Sequence, residues 1–331
     1  MMSKIFTVTL NTAVDRVIEL GTLNIGGVSE AANQSEVAAG KGINVSRALA
    51  AGSIGSTALC FCGARDKDLF LGLESEFIRA VVFPVAGSTR SNITIVESQP
   101  RRATHLKTKG YSVDANDIAA MTAAIGNAAG KSDIVAVAGS LPAGFSNNDL
   151  RALLGAAARC SARLFLDLAA ENYAAGLGFR PFAIKPNLEE LSAIAGKTLS
   201  NVADIVAAAR ALAARGADTV LVTLGADGAI IVAENGTMAL QAFIPKTDRS
   251  SNDDAVGSGD AFVAGFIAAA AANEPLGDCI INACAYGAAN QATAVPGQLD
   301  QHDVRRYRSL VQVTRVKGVD ARNKSGHDGA C

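Results

Sequence analysis

Apolar residues fall along this 331-residue chain in two rhythms. The runs TALCFC (57–62), DIVAVAG (133–139), RLFLDL (163–168), FAIK (182–185), TVLVTLG (219–225) and AIIVA (229–233) have the length and β-branched content of buried strands. Between several of them lie helix-length stretches such as NNDLRALLGAAARC (147–160) and NVADIVAAARALAARG (201–216). Each is entered through Asn or Ser and carries apolar residues at i, i+3, i+4 and i+7. That alternation predicts an α/β fold, doubly wound around a mainly parallel sheet flanked by helices.

Four segments break the rhythm. RVIEL (16–20), VSEAANQSEVA (28–38), TRSNITIVES (89–98) and RATHLKTKG (102–110) read as polar, alternating strands with no helix between them. They predict a small second sheet drawn from two separated parts of the chain. We therefore expect one domain over residues 1–316, with a β-sheet lid inserted at about 12–38 and 88–111. The polar segment 317–331 has no hydrophobic period to offset the entropy of ordering and is expected to be disordered.

Composition narrows the classes of function. Thirty Lys and Arg against 31 Asp and Glu leave a net charge of −1, so no global basic field attracts nucleic acid or anionic lipid. The most apolar later stretch, residues 261–272, is short of the roughly 20 residues of a spanning helix and reads as a buried helix. The N-terminus has no signal-peptide pattern, and six scattered cysteines without CxxC spacing fit reduced thiols, so a cytoplasmic protein is expected. Three isolated histidines give no zinc motif.

The strongest chemical signal is DDAVGSGDAFVAGF (253–266), where Gly257 and Gly259 lead into an apolar helix starting near Asp260. Glycines let successive N–H groups turn inward, and a helix N-terminus adds partial positive charge, which together make an anion nest suited to phosphate. Asp260 there reads either as a helix cap or as a general base beside a phosphoryl group. The segment fits neither the Walker A pattern nor the dinucleotide GxGxxG, since Phe262 takes the place of the third glycine. A second glycine turn, AAGKGINVSRALA (38–50), places Lys41 and Asn44 for a sugar hydroxyl or phosphate, or is a loop with a solvated lysine. In KPNLEEL (185–191), Asn187 and Glu190 are three apart, which suits either a hydrated Mg²⁺ or a plain N-cap.

Taken in order, AGKGINVSRA, AGSLPAGF (138–145), KPNLEEL, TLGADG (223–228) and GSGDAFVAGF resemble the ribokinase-like (PfkB) carbohydrate kinase family across nearly the whole chain. TLNTAVD (9–15) and GSTRSNITI (87–95) are most similar to its phosphosugar branch. The resemblance implies a ribokinase-like fold and in-line transfer of a phosphoryl group from ATP with Mg²⁺ to a hexose phosphate, best matched by conversion of fructose 1-phosphate to fructose 1,6-bisphosphate. By it, Asp260 is the base, and the N–H groups of Gly257, Ser258 and Gly259 stabilise the transferring group. Asp15, Gly40, Lys41 and Asn44 would bind sugar hydroxyls, with Arg90, Ser140 and Lys107 toward the substrate phosphate. Lys185, Asn187, Thr223, Gly225, Gly228 and Asn290 would serve the nucleotide, and Asn187 with Glu190 the metal through water. The family's lid strands also imply a homodimer.

Three departures stand out: Thr12 where the branch usually has Pro, Ala255 and Ser258 in the phosphate loop, and the cations His105, Lys107 and Lys109 in a lid strand. Alternatives are the same fold acting on tagatose 6-phosphate, fructose 6-phosphate or an unphosphorylated sugar or nucleoside. Less favoured are a non-catalytic sugar-phosphate sensor and a dinucleotide-dependent dehydrogenase.

Overall fold

The computed structural model describes residues 3–248, 257–291, 293 and 296–316. The segment 317–331 and Ala255 lie outside the described residues. In chain order the elements open with β1 (Ile5–Thr9), β2 (Ala13–Leu20), β3 (Asn33–Ala39), α1 (Lys41–Ala51), β4 (Ser56–Gly63), α2 (Lys67–Leu71) and β5 (Ile78–Val85). They continue with β6 (Arg90–Ser98), β7 (Arg101–Lys107), α3 (Ala115–Ala128), β8 (Ile134–Gly139), α4 (Asn147–Arg159), β9 (Arg163–Leu168), α5 (Tyr173–Gly176) and β10 (Ala183–Ile184). The remainder are α6 (Leu188–Ala195), α7 (Val202–Ala214), β11 (Val220–Thr223), β12 (Ala229–Ala233), β13 (Met238–Phe243), α8 (Ser258–Ala271), α9 (Leu276–Asn290), α10 (Gln301–Leu310) and β14 (Gln312–Arg315).

Ten strands form the main sheet in the order β14-β13-β12-β11-β10-β9-β8-β1-β4-β5. From β11 to β5 every neighbour is parallel, as the strand and helix alternation predicts. The edge from β11 outward to β14 is antiparallel. The run 229–233 is a strand as expected, but only Leu224 to Gly228 separates it from β11, too little chain for a crossover helix, so the two pair as a hairpin. Two expected strands are shorter than their apolar runs. FAIK keeps only Ala183–Ile184, because Pro186, just beyond Lys185, has no N–H to continue the ladder. TVLVTLG ends at Thr223, where the hairpin turn begins.

Strand alternation divides the core into two layers. On β8, Val135 and Val137 face a cluster with Met121 of α3, Leu150 and Leu154 of α4, Leu191 of α6 and Val206 of α7. Ile134 and Ala136 face the opposite cluster with Leu49 of α1, Ile267 of α8 and Ala285 of α9. This period of two against helices on both faces is what makes the parallel strands read as continuous apolar runs. Helix α8 is wrapped almost entirely, with Phe262, Val263, Phe266 and Ile267 all buried, each contributing about 1.5–3 kcal/mol. The 261–272 stretch is therefore core, and among the described residues no helix is long and apolar enough to cross a membrane.

The small sheet has the order β3-β2-β6-β7, with β2 and β6 joined in parallel at its centre. It is built from two chain segments, as the polar alternation predicts, but β3 starts only at Asn33 and β7 ends at Lys107. Val14 and Ala38 anchor the sheet on the main domain beside Ile43 and Cys60.

Candidate functional site

The chemistry-bearing residues gather beyond the carboxyl ends of the parallel strands, where an open α/β sheet leaves a crevice. Asn11 and Thr12 follow β1, Ser140 follows β8, Asp167 is the penultimate residue of β9, Lys185 follows β10 and Thr223 ends β11. One side of the crevice is the N-terminus of α8. Gly257 is its N-cap at φ 96°, and a Cβ there would come within 2.7 Å of the Pro296 Cβ, so both backbone shape and space demand glycine. The helix begins at Ser258, two residues earlier than expected, which puts Asp260 at the third helical position with the dipole's positive end facing the crevice.

Asp260 is buried, and its Oδ2 accepts a hydrogen bond from Nδ2 of Asn44 at 2.8 Å. That bond ties α8 to α1 across 216 residues of sequence. Burial first, then the negative charge of Asp167, push the Asp260 carboxyl up from its ordinary 3.8 to about 6; Asn44, Lys41 and Lys185 pull the other way. Such a carboxylate is ionised at neutral pH yet basic enough to accept a hydroxyl proton.

Behind Asp260 lies a charge cluster whose centre, Asp167, had not been singled out from sequence. Its Oδ1 lies 3.0 Å from the Lys41 Nζ and 3.3 Å from the Lys185 Nζ. Its Oδ2 is buried with no hydrogen-bond partner. Lys41 stands at the start of α1, after Gly40, whose φ of 147° suits glycine. Burial lowers the Lys41 pKa, but Asp167, Asp260 and Glu190 together hold it above its ordinary 10.5. Lys185 is buried, with its Nζ 3.8 Å from where a Gly259 Cβ would stand, so the ammonium lies beneath the phosphate-loop turn.

The residues expected to meet the sugar and its phosphate are held in three local sets of contacts on one side of the crevice. Asn44 also accepts from Arg47 Nη1 at 3.4 Å. Asp15 Oδ1 accepts from Asn92 Nδ2 at 2.7 Å, and Lys107 lies opposite Asn92 in the β6–β7 register, so the three stand in a row across the small sheet. Arg90 donates from Nε to the Thr12 carbonyl and from Nη2 to the Asn11 carbonyl, both at 3.1 Å. Asn11 Nδ2 in turn donates to Ser140 Oγ at 3.0 Å, so Arg90 and Ser140 are linked through Asn11. Thr12, the departure from Pro, has its own use here: its hydroxyl donates to the Phe61 carbonyl at 2.7 Å, and its N–H to the Tyr111 hydroxyl at 3.0 Å. Proline would lack both.

On the other side of Gly259 opens a mostly apolar cleft of about 280 Å³. Asn187, Thr223, Gly225 and Gly228, all singled out from sequence, line it together with Ser258 and Gly259; Phe243, Ile244 and Cys284 are further walls that motif reading missed. Asn290 is not among these walls. It is fully buried, donates from Nδ2 to Thr293 Oγ1 and to the Gln298 carbonyl, and lies against Gly257, so it braces the phosphate loop from below.

Asn187 and Glu190 make a capping box: Asn187 Oδ1 accepts the Glu190 N–H at 2.7 Å, and Glu190 Oε2 accepts the Asn187 N–H at 2.9 Å. The plain cap therefore exists. Glu190 Oε1 remains on the crevice side, 4.0 Å from Lys41 Nζ. Among the described residues no cluster of three His, Cys, Asp or Glu could enclose a metal, but Glu190 Oε1 and the orphan Asp167 Oδ2 suit an ion that keeps most of its water.

The pfkB family carbohydrate kinase model matches residues 8–294. A 1-phosphofructokinase of Vibrio cholerae is 34% identical over 271 residues, covering 80% of this chain and 82% of that protein. The crystal structure of phosphofructokinase-2 from Escherichia coli in complex with fructose-6-phosphate superposes with a TM-score of 0.82 at 25% identity, over 93% of this chain and 99% of the other. Arabidopsis thaliana ribokinase complexed with ribose and ATP shares the fold, with a TM-score of 0.69 at 18% identity over 93% and 99% of the two chains. With the family model spanning both the Asn44 and the Asp260 walls of the crevice, the chain belongs to the pfkB family of carbohydrate kinases.

Proposed function

We propose that this protein transfers the γ-phosphoryl group of ATP to a free hydroxyl of fructose 1-phosphate, giving fructose 1,6-bisphosphate and ADP. The observation that carries the reading is Asp260, a buried carboxylate held by Asn44 at the junction between the Asp15–Asn44–Arg90 wall and the glycine-lined cleft. Support for the acceptor comes from the 1-phosphofructokinase relatives and from the linked Arg90 and Ser140, which suit an acceptor that already bears a phosphate.

In this reading the adenine nucleotide lies along Thr223, Gly225 and Gly228, with its terminal phosphate toward Gly257, Ser258 and Gly259. Asp260 takes the acceptor proton as the hydroxyl oxygen bonds to the γ-phosphorus and the bond to the β-phosphate oxygen breaks. Lys41 and Lys185, tethered by Asp167, place two positive charges beside the transferring group. Asp15, Gly40 and Asn44 hold sugar hydroxyls, and Lys107 adds charge from the small sheet, which acts as a lid. Glu190 and Asp167, with Asn187, would hold Mg²⁺ through water; bound there, the ion neutralises phosphate charge. The reading includes a homodimer through the small sheet, where Leu106 is about half exposed and Ile25 and Val28 in the β2–β3 connection are 84% and 89% exposed.

The test is ADP release with MgATP against fructose 1-phosphate, fructose 6-phosphate, tagatose 6-phosphate, fructose, ribose and adenosine. Highest kcat/KM on fructose 1-phosphate is expected. Preference for an unphosphorylated acceptor, or saturable binding of a sugar phosphate without ADP release, overturns it.

A further inference from the structure

The chain passes between the main sheet and the small sheet four times: at 10–12 between β1 and β2, at Gly40 between β3 and α1, at 86–89 between β5 and β6, and at 108–114 between β7 and α3. Tyr111 stands in the last of these crossings, buried in the core cluster that holds Phe61 and Val85, and its hydroxyl reaches the first. That hydroxyl donates to the Leu10 carbonyl at 2.9 Å and accepts the Thr12 N–H at 3.0 Å. The Thr12 hydroxyl, 3.1 Å away, donates to the Phe61 carbonyl at 2.7 Å, which ties the same turn to β4. Burial pushes the Tyr111 phenol up from its ordinary 10, so the hydroxyl stays a donor at neutral pH.

The turn held in this way supplies the two carbonyls that hold Arg90. Its Nε and Nη2 donate to the carbonyls of Thr12 and Asn11, so the side-on edge of the guanidinium, and with it the plane of the fork, is fixed on the main chain. Arg90 makes no other hydrogen bond from its side chain among the described residues, which leaves the end-on edge, Nη1 with the second hydrogen of Nη2, for a bidentate grip on a phosphate. The crossing that carries Tyr111 also packs on Arg90 directly: a Cβ on Gly110 would stand 3.1 Å from the Arg90 backbone nitrogen and 3.2 Å from its Cβ. Tyr111 thus fixes the Leu10–Thr12 turn, and the turn fixes the direction of Arg90.

We propose that Tyr111 and Thr12 are positioning residues for the acceptor: together they set the turn that aims Arg90 at the substrate phosphate, so affinity for a phosphorylated acceptor depends on two buried hydroxyls that bind no substrate themselves. The inference rests on the phosphosugar reading above and extends it to residues which that reading does not use. Its distinctive consequence is a coupling. Removing the Tyr111 hydroxyl loosens Arg90 and weakens phosphosugar binding, but has little further effect once the guanidinium is gone.

Tyr111→Phe removes one hydroxyl, and Thr12→Val removes the other while keeping the N–H. Urea unfolding checks that each variant is folded, and Thr12→Val carries the test if Tyr111→Phe is not. The acceptor is fructose 1-phosphate, or whichever phosphosugar among those named above the parent chain prefers. Each variant should raise its KM about 3–10-fold, the worth of one hydrogen bond, with kcat and the KM for ATP within about twofold of the parent. Thr12→Ser, which keeps both the hydroxyl and the N–H, should hold the parent KM. In an Arg90→Gln background, Tyr111→Phe should lower kcat/KM by less than about 1.5-fold further. Calorimetric titration of the same phosphosugar without nucleotide should show the matching rise in Kd with no turnover needed. An unchanged KM in the folded variant, a loss carried by kcat instead, or the full loss persisting beside Arg90→Gln overturns the positioning role; a hydroxyl that only stabilised the fold would not lose its effect with Arg90. A parent chain that neither binds nor turns over any phosphosugar overturns the phosphosugar reading and this inference with it. Binding by the parent with no change in the variants overturns this inference alone.

Discussion

Replacing Asp260 by asparagine should lower turnover by orders of magnitude and make the fold more stable. The carboxyl is raised from 3.8 to about 6, roughly two pH units, and at about 1.4 kcal/mol per unit its ionised form costs the native state about 3 kcal/mol. The native pKa lies above the unfolded one, so the folded state binds the proton more tightly. The stability that the protonated form confers is fully present below about 3.8 and is lost as pH rises through about 6. An amide is neutral at every pH, and its oxygen still accepts from Asn44 Nδ2, so the geometry persists. Asp260→Asn should therefore match the parent near pH 4 and exceed it by about 2–3 kcal/mol above pH 7, the excess opening between those limits. Urea unfolding without nucleotide, at a series of pH values, reads the difference directly. An asparagine variant less stable at pH 8, or an excess independent of pH, would refute a desolvated carboxylate at this position.

The same ionisation predicts an acid limb in kcat/KM with a midpoint near 6, moved downward in Asp167→Asn because that charge helps raise Asp260; an unmoved limb contradicts the coupling. Asp260→Asn should lower kcat by about 10²–10⁴-fold with bound nucleotide retained, checked by ADP release beside nucleotide titration. Glu190→Gln should leave thermal stability nearly unchanged, because the amide oxygen can keep the Asn187 N–H, while raising the Mg²⁺ needed for half-maximal rate. Gly257→Ala should destabilise the phosphate loop by about 1–3 kcal/mol, since alanine at that φ is strained and its Cβ meets Pro296; a neutral effect in urea unfolding would contradict the loop geometry.

The parts of the fold most legible in sequence were those whose residues answer only to local sterics and burial. The DIVAVAG and RLFLDL runs declare buried strands, and Asn201 caps α7 by accepting from the Asp204 N–H. β5 was missed because IRAVVFPV mixes Arg79 and Pro84 into its pattern, which is tolerable on an edge strand and obscures a period. The glycine motifs pointed to the crevice because a positive φ or a close approach admits few other residues. Asp167 had no such signature: it is one acid at the end of an apolar strand, and its meaning comes from Lys41 and Lys185, which are brought to it from distant sequence. Asn290, which motif reading assigned to the nucleotide, bonds to Thr293 and to the Gln298 carbonyl beside Gly257, contacts that local sequence around α9 does not specify.

The bond from Asn44 to Asp260 also sets a schedule for the growing polypeptide. A chain made at about 5–20 residues per second needs on the order of 10–40 s to add the 216 residues between them. By the end of that interval the α1 turn and all the parallel strands have been synthesised, while the carboxylate that Asn44 holds and the helix that positions it are only then being made. The Asn44–Asp260 junction therefore closes only when α8 docks, and a ribosome stalled before Asp260 carries a nascent chain with one wall of the crevice and not the other.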